Sequence, residues 1–468
     1  MGSPSARAQY ANAPGVRGLL ALAAYLLLGL LFQWTSLHFG FKRYLLNAEM
    51  LMAMLLFVAG WRWLGVLVFF AAVCLELTLG ATSVFRLIEV AQVGDMAGYL
   101  LEAKGTYLVM LAALAVIAAA GFWVAAGSLK GVRWRWLWLF ASGLLLTQWQ
   151  LSFAGATFFS PPFAERDRLL FGSSAHFVHQ VLEENRRRHV HIGADAEDAE
   201  YLPVAQPSAA SLMLGEQPRS PRILFIIAES WGRPHQPAVL EQQISALRSS
   251  AHVHDLQVGS INAVGTTAAG ELRELCGRIP TRLNFQRMTP EAIGECLPAK
   301  LAKQGYKTVA LHAAFGAMYR RVNWYPVIGF DDLVFRENLP FEGTQCYSFP
   351  GYCDRHLLDV VRKKLGHEKV FLYWLSLNSH IPYDRRDVEN YREAVCHKAF
   401  GDAYSDQLCG YQNLHVQFFE GLAKLAEEES LKGVEVVVVG DHAPIFNDSA
   451  SRVRFKQEQV PMLRFVVQ

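Results

Sequence analysis

The chain has 468 residues, with 44 Lys and Arg against 42 Asp and Glu and a formal charge of +2. That even balance excludes the basic excess of a nucleic-acid-binding domain. Hydrophobic residues make up 52% and charged residues only 18%, below the ~25% usual in soluble domains, so the chain is neither disordered nor simply soluble.

The apolar mass sits at the front. Arg17 and Lys42 bracket an uncharged run, as do Lys104 and Lys130, and Arg135 and Glu165. Each exceeds the roughly 20 apolar residues that a helix needs to cross a bilayer. Two weaker runs, Tyr44 to Gly60 and Trp63 to Thr82, are interrupted by Glu49, Arg62 and Glu76. The reading is an α-helical membrane domain of five spans over residues 1–160. No A-x-A-like cleavage site follows the first run, which reads as an anchor rather than a cleaved signal peptide. Arg7, Arg17, Arg62, Lys130, Arg133 and Arg135 outweigh Lys42, Arg43, Arg86 and Lys104, placing the N-terminus inside. Trp61, Trp63, Trp134, Trp136 and Trp138 fall at the inner interface. The expected location is the inner (cytoplasmic) membrane, multi-pass, with everything after about Pro161 on the periplasmic, extracytoplasmic side.

Glu49 and Glu76 fall inside the two weak spans, roughly 7–9 Å below the outer interface at 1.5 Å per residue. Intramembrane carboxylates are functional candidates by default, here as receivers of a lipid ammonium. Snorkelling, or pairing with Lys42 and Arg43, is the alternative.

Cys74 lies in a span, whereas Cys276, Cys296, Cys346, Cys353, Cys396 and Cys409 all fall in the second half. An even count outside the cytoplasm reads as a disulfide framework, and neighbour pairing is the simplest connectivity. That gives Cys276–Cys296, Cys346–Cys353 and Cys396–Cys409. Zinc is the rival reading, but no C-x-x-C spacing occurs.

Residues 161–220 form a connector with an apolar patch at Leu169 to Val181, then Arg186-Arg187-Arg188, then acidic and Pro/Ser/Ala-rich stretches. It is read either as a bridge on the membrane surface or as a solvated linker. From 221 to 468 short apolar runs alternate with helical stretches such as Pro290 to Gln304 and Tyr404 to Glu428. That alternation predicts an α/β domain with a mostly parallel sheet.

The runs ILFIIAES, KTVALHA, VFLYWLSLNSH and VEVVVVGDH end in Glu229-Ser230, His312, His380 and Asp441-His442. Ligand sites in open α/β sheets form beyond the carboxyl ends of the strands. A lone His there is more often structural, but Asp-His after four valines is costly to bury unpaired and points to metal. Gly265-Thr266-Thr267-Ala268-Ala269-Gly270-Glu271 reads as a loop entering a helix, with a hydroxyl where a phosphate or an alkoxide would be favoured. By itself this hydroxyl reads first as a cap.

Together these residues resemble the alkaline phosphatase/sulfatase superfamily. Within it the chain resembles membrane-anchored phosphoethanolamine and phosphoglycerol transferases, including lipoteichoic acid synthases. The resemblance implies a metal set of Glu229, Thr267, Asp441 and His442, with Thr267 also the nucleophile. It implies that His312, Tyr319 and Arg321 bind the headgroup phosphate and that His380 lies near the transferred group. Three nearby cysteine pairs resemble the phosphoethanolamine enzymes. However, FKQEQVP stands where those enzymes carry a further His after the Asp-His pair. The implied cofactor is a divalent metal, Zn²⁺ first and Mn²⁺ next. The implied partners are a phospholipid donor and a glycan or lipid acceptor of the envelope, with phosphoethanolamine favoured over phosphoglycerol. A hydrolase with water as acceptor and a non-catalytic scaffold in polysaccharide assembly are the competing classes. An arylsulfatase would need C/S-x-P-x-R at the nucleophile, which Thr267-Ala-Ala-Gly does not fit.

Overall fold

The computed structural model describes residues 14–39, 46–84, 105–128, 142–143, 171–175, 201–215, 218–280, 285, 288–339, 345–349, 351–446 and 448–468. The chain divides into two compact units, Met1–Ala194 and Asp195–Gln468.

In the first unit α1 (Pro14–Phe39), β1 (Leu46–Asn47), α2 (Ala48–Val58), α3 (Arg62–Val84), α4 (Gly105–Ser128) and β2 (Phe171–Gly172) follow in order. The pairs α1 with α4 and α2 with α3 lie side by side. Small residues permit the approach: a Cβ on Gly65 would stand 2.7 Å from the Ala53 carbonyl oxygen, and one on Gly121 2.9 Å from Leu28. Tyr25, Leu28, Met50, Phe57, Phe69 and Phe122 fill the core.

The expected span Tyr44 to Gly60 is instead a helix of 11 residues, about 16 Å long at 1.5 Å per residue. It begins at Asn47, whose side chain accepts the Met50 N–H and caps the helix. Counting only the described residues, no helix is long and apolar enough to cross a membrane. The expected fifth span, Arg135 to Glu165, lies outside the described residues except 142–143, and so do Lys42, Arg43, Arg86, Lys104 and most of the connector.

The second unit is built on seven strands. In chain order come β3 (Arg222–Ala228), β4 (Val253–Asn262), α5 (Thr267–Cys276), β5 (Lys307–His312), β6 (Asp332–Val334), α6 (Asp354–Lys364), β7 (Val370–Leu375), α7 (Asp406–Ala426), β8 (Glu435–Gly440) and β9 (Gln459–Val467). The sheet order is β4-β9-β8-β3-β7-β5-β6. From β8 to β6 all pairs are parallel, and β9 and β4 add two antiparallel strands. Strand β9 carries the apolar run MLRFVV, whereas β4 has polar side chains and mixed burial that hide it from a sequence pattern.

Strands β3, β7 and β8 read as continuous apolar runs because helices cover both faces. On one face Phe225, Ile227, Tyr373 and Val437 pack with Leu272 of α5 and with Trp324 and Tyr325. On the other, Trp374 meets Phe418 and Trp231 meets Phe419 of α7. The predicted helix Pro290 to Gln304 is two short helices, Pro290–Ile293 and Leu297–Lys303. Gly294, at φ 78°, ends the first, and Cys296 is tied to Cys276 before Pro298 opens the second. The other two disulfides are Cys346–Cys353 and Cys396–Cys409, the neighbour pairing expected. Residues at the end of the connector belong to this unit: Tyr201–Pro203 pairs with Arg278–Pro280, and the Ala210 N–H donates to Glu274 over 2.9 Å.

Candidate active site

Register brings the chemistry to one edge of the sheet. Ala228 pairs with Gly440, and Leu375 pairs with both Ile227 and His312. Glu229, His312, Ser376 and Asp441 therefore leave or end adjacent strands at the same level. Helix α5 lies against this edge because Gly270 has no side chain: a Cβ there would stand 2.9 Å from that of Asp441. The Thr-Ala-Ala-Gly segment is thus shaped for close approach.

The two threonines divide between them what the sequence left open. Thr266 is the N-cap of α5 and accepts the Ala269 N–H over 3.3 Å. Thr267 opens the helix and donates its hydroxyl to Glu229 Oε2 at 3.1 Å, with His442 Nε2 3.4 Å away. His442 Nε2 is also 3.4 Å from Glu229 Oε1 and from Asp441 Oδ2. His442 Nδ1–H donates to the Ala443 carbonyl over 2.9 Å, which turns Nε2 toward the carboxylates.

Asp441 Oδ1 accepts the N–H groups of Ser230 and His442 over 2.8 and 2.7 Å. Its Oδ2 is buried and accepts no hydrogen bond among the described residues. An orphaned buried carboxylate oxygen is costly. Burial and the neighbouring Glu229 charge push the Asp441 carboxyl up to about 7. Burial would also raise Glu229, but hydrogen bonding and charge from His442, with His380 and Ser230, hold it below the usual carboxylate range. Burial would lower His442, yet Asp441 and Glu229 carry it up to about 9. Ligand atoms of Glu229, Asp441 and His442 all lie within 4.8 Å of one another. Two carboxylates, an imidazole lone pair and a hydroxyl converging on an orphaned oxygen fit a divalent cation.

Ser230 was not singled out from sequence. It sits at φ 56°, uncommon for a residue with a side chain. There its N–H reaches Asp441 while its hydroxyl donates to Glu229 over 3.0 Å. The adjacent Glu-Ser at a strand end was the only signal.

His312 and Arg321 lie behind this group. Burial, then the Arg321 charge, hold His312 down at about 3, so it is neutral at pH 7 and its Nδ1–H donates to the Leu375 carbonyl over 3.0 Å. Arg321 is 1% exposed and pairs with Glu271 through Nη2 at 2.8 Å and Nε at 3.1 Å. Glu271, one turn along α5 from Thr267, also accepts the hydroxyls of Tyr373, over 3.0 Å, and Tyr325. Tyr319, at φ 51°, has its ring 5.2 Å from the Arg321 guanidinium. His380 follows β7 and donates Nδ1–H to the Ile381 carbonyl over 2.8 Å. Its ring centre is 4.7 Å from that of Phe349.

Glu49 and Glu76 belong to the first unit. Glu49 accepts the Ser173 hydroxyl at 2.5 Å and the N–H groups of Ser174 and Ala175 at 3.1 Å. Glu76 accepts Asn47 Nδ2 at 2.5 Å and the Ser174 hydroxyl. Both carboxylates thus accept hydrogen bonds from chain donors among the described residues.

Residues 221–463 match the family model described as sulfatase, and the chain belongs to that family. Among solved structures it is similar to the lipoteichoic acid synthase LtaP of Listeria monocytogenes, with 17% identity, 52% of this chain and 65% of that one covered, and a TM-score of 0.38. It is similar to the Streptococcus pyogenes phosphoglycerol transferase GacH, with 14% identity, 61% and 75% covered and a TM-score of 0.37. It is also similar to the zinc complex of the C-terminal periplasmic domain of EcEptC from Escherichia coli, with 14% identity, 53% and 74% covered and a TM-score of 0.37. No curated protein matches the sequence.

Proposed function

We propose that the chain transfers the headgroup phosphate of a phospholipid, phosphoethanolamine in the first place, to a hydroxyl of an envelope glycan or lipid. The observation that carries this reading is the Thr267 hydroxyl, held at a helix start against Glu229 and His442 beside the orphaned Asp441 oxygen. Glu229, Asp441, His442 and Thr267 would hold a divalent cation, zinc by the donor set and manganese next, which when bound lowers the pKa of a hydroxyl and polarises a phosphoryl oxygen.

Thr267 Oγ1 attacks phosphorus as its proton passes to Glu229 Oε2, the acceptor it already faces. The bond to the diacylglycerol oxygen breaks, and that oxygen takes a proton from His380. The product is phospho-Thr267, the two-step course of covalent catalysis. An acceptor hydroxyl then attacks the same phosphorus, returns a proton to His380 and frees Thr267, whose Oγ1 takes its proton back from Glu229. Arg321 supplies a fixed positive charge to the phosphate, its orientation set by Glu271. Neutral His312 presents Nε2 as an acceptor toward headgroup donors, an ammonium or a glycerol hydroxyl. Tyr319 would line the headgroup site beside Arg321.

With Glu49 and Glu76 engaged by residues 173–175, the preference for ethanolamine rests on the three disulfides, which resemble those of the phosphoethanolamine enzymes. Phosphoglycerol is the second reading, favoured by the His312, Tyr319 and Arg321 segment.

We assign residues 1–160 to a membrane domain of five spans, 161–220 to a connector and 221–468 to a catalytic domain outside the cytoplasm. Side chains such as Leu27, Trp34, Leu67, Phe70, Val116 and Trp123 are exposed on the first unit, which supports burial in lipid. Incubation of the full-length protein with fluorescently acylated phosphatidylethanolamine or phosphatidylglycerol, with and without envelope glycan, tests the reading. Diacylglycerol release that exceeds one equivalent of enzyme only when glycan is present is expected. Equal release into water would make the enzyme a hydrolase.

A further inference from the structure

The segment between β7 and His380 does more than carry one histidine. Ser376 Oγ accepts the Glu229 N–H over 2.8 Å, and the Ser379 hydroxyl donates to the Glu229 carbonyl over 2.5 Å. Both main-chain groups of Glu229 are therefore held by residues 376–379, and His380 comes next. What holds this segment in turn is Asp354, which touches none of the site residues. Its carboxylate accepts the Leu377 N–H at 3.0 Å and the Asn378 N–H at 2.8 Å. Asn378 reciprocates, its Oδ1 accepting the Asp354 N–H while its Nδ2 lies 2.6 Å from Cys346 Sγ.

Asp354 is 6% exposed, and burial pushes its carboxyl up to about 7 despite the two N–H donors. A carboxylate at a first helical position ordinarily faces solvent near the helix start; this one faces a neighbouring loop instead. The helix start is itself fixed. Cys353 precedes it and is bonded to Cys346. The loop so closed is wedged beside the end of β5: Tyr352 N–H donates to the Ala313 carbonyl over 3.2 Å, and a Cβ on Gly351 would stand 2.4 Å from Leu377 and 2.6 Å from that carbonyl. Phe349 of the same loop lies against the His380 ring.

We propose that Asp354 is a positioning residue for the reaction: by clasping the Leu377 and Asn378 amides, inside the frame closed by the Cys346–Cys353 disulfide, it sets where His380 and the Glu229 peptide stand. This rests on the roles given to His380 and Glu229 above. The carboxylate itself neither binds substrate nor exchanges a proton with it. A misplacement of about 1 Å is enough to cost ~100-fold in rate, so a clasp one residue removed from His380 has leverage over turnover without contact.

The test uses the full-length protein loaded with zinc, with diacylglycerol release from fluorescent phosphatidylethanolamine and phosphatidylglycerol micelles in the presence of envelope glycan, and hydrogen exchange of peptides covering 376–380. For Asp354→Ala we expect kcat to fall ~100-fold with KM and bound zinc unchanged, and exchange at Leu377 and Asn378 to quicken. Asp354→Asn, which keeps one acceptor oxygen, recovers part of both and carries the test if the alanine variant does not fold. In a His380→Ala background Asp354→Ala should cost less than in the wild type, since part of its effect runs through His380. Asp359→Ala, exposed on the same helix, is the exchange control. Wild-type kcat in Asp354→Ala while His380→Ala is dead would overturn this role and leave the proposed function standing. An undiminished Asp354 effect in the His380→Ala background would also overturn it, as would unchanged exchange at 376–380. If His380→Ala keeps full activity, the reading of His380 fails, and this role fails with it.

Discussion

Two buried acidic clusters sit a turn apart on helix α5, and they differ in how completely they are satisfied. Around Glu271 every carboxylate oxygen has a donor: Arg321 on one, Tyr325 and Tyr373 on the other. Around Thr267, Asp441 Oδ2 accepts no hydrogen bond among the described residues, and the carboxylates share a single imidazole. The first arrangement is complete as it stands and fixes the helix. The second becomes complete only with a further positive charge, as expected of a metal and phosphate site. Loss of satisfaction, rather than burial or charge alone, distinguishes the candidate metal site from the paired Glu271 and Arg321 behind it.

The sharpest way to break that contrast is at the threonines. Thr267→Ala should lower transfer at least ~1000-fold with the fold intact. Thr266→Ala should keep transfer and lose only a cap, about 1 kcal/mol. Retained turnover in the first and a dead second variant would reverse the assignment.

The clusters themselves come next. Glu271→Gln breaks a satisfied ion pair and should cost ~3–5 kcal/mol of unfolding free energy. Asp441→Asn in metal-stripped protein removes an orphaned acid and should cost under ~1 kcal/mol, or stabilise. Zinc titration should then show lost affinity only in the Asp441 variant. Equal destabilisation of the two metal-free variants would erase the difference between the clusters.

Smaller is the effect of the bond that ends α5. Replacing Cys276 and Cys296 together by alanine should cost ~3 kcal/mol. Non-reducing peptide mapping that finds free thiols there would contradict both the pairing and the extracytoplasmic placement. The smallest effect near neutrality comes from His415, which burial pushes down to about 3. The unfolded chain takes up its proton near pH ~6.5 and the folded chain does not. The contribution of His415 to stability should therefore rise with pH between about 3 and 6.5 and level off above. In His415→Gln that dependence should flatten; an unchanged slope in urea titrations would show that His415 is not the group responsible.

Much of the second unit was legible because its strands are apolar runs ending in chemistry. Glu229, His312 and Asp441-His442 stand out by position at strand ends, whereas β7 stops at Leu375 and His380 lies in the turn beyond it; β8 to β3 register then brings Glu229 and Asp441 together. Strand β4 was hidden because an edge strand beside one neighbour carries polar residues. Ser230, Ser376, Ser379 and Asp354 were hidden for another reason. They act through main-chain groups of residues distant in sequence, and no spacing reports such bonds. Glu49 and Glu76 stood out as charges in apolar runs, but their partners, Ser173 to Ala175, lie about a hundred residues away.

Intact mass spectrometry of the zinc-loaded, full-length protein after exposure to phosphatidylethanolamine without acceptor tests the central claim most directly. The account predicts one added phosphoethanolamine, mapped by fragmentation to Thr267, absent in Thr267→Ala and discharged when acceptor glycan is supplied. Diacylglycerol release with no adduct on Thr267, or an adduct on Thr266, would contradict it.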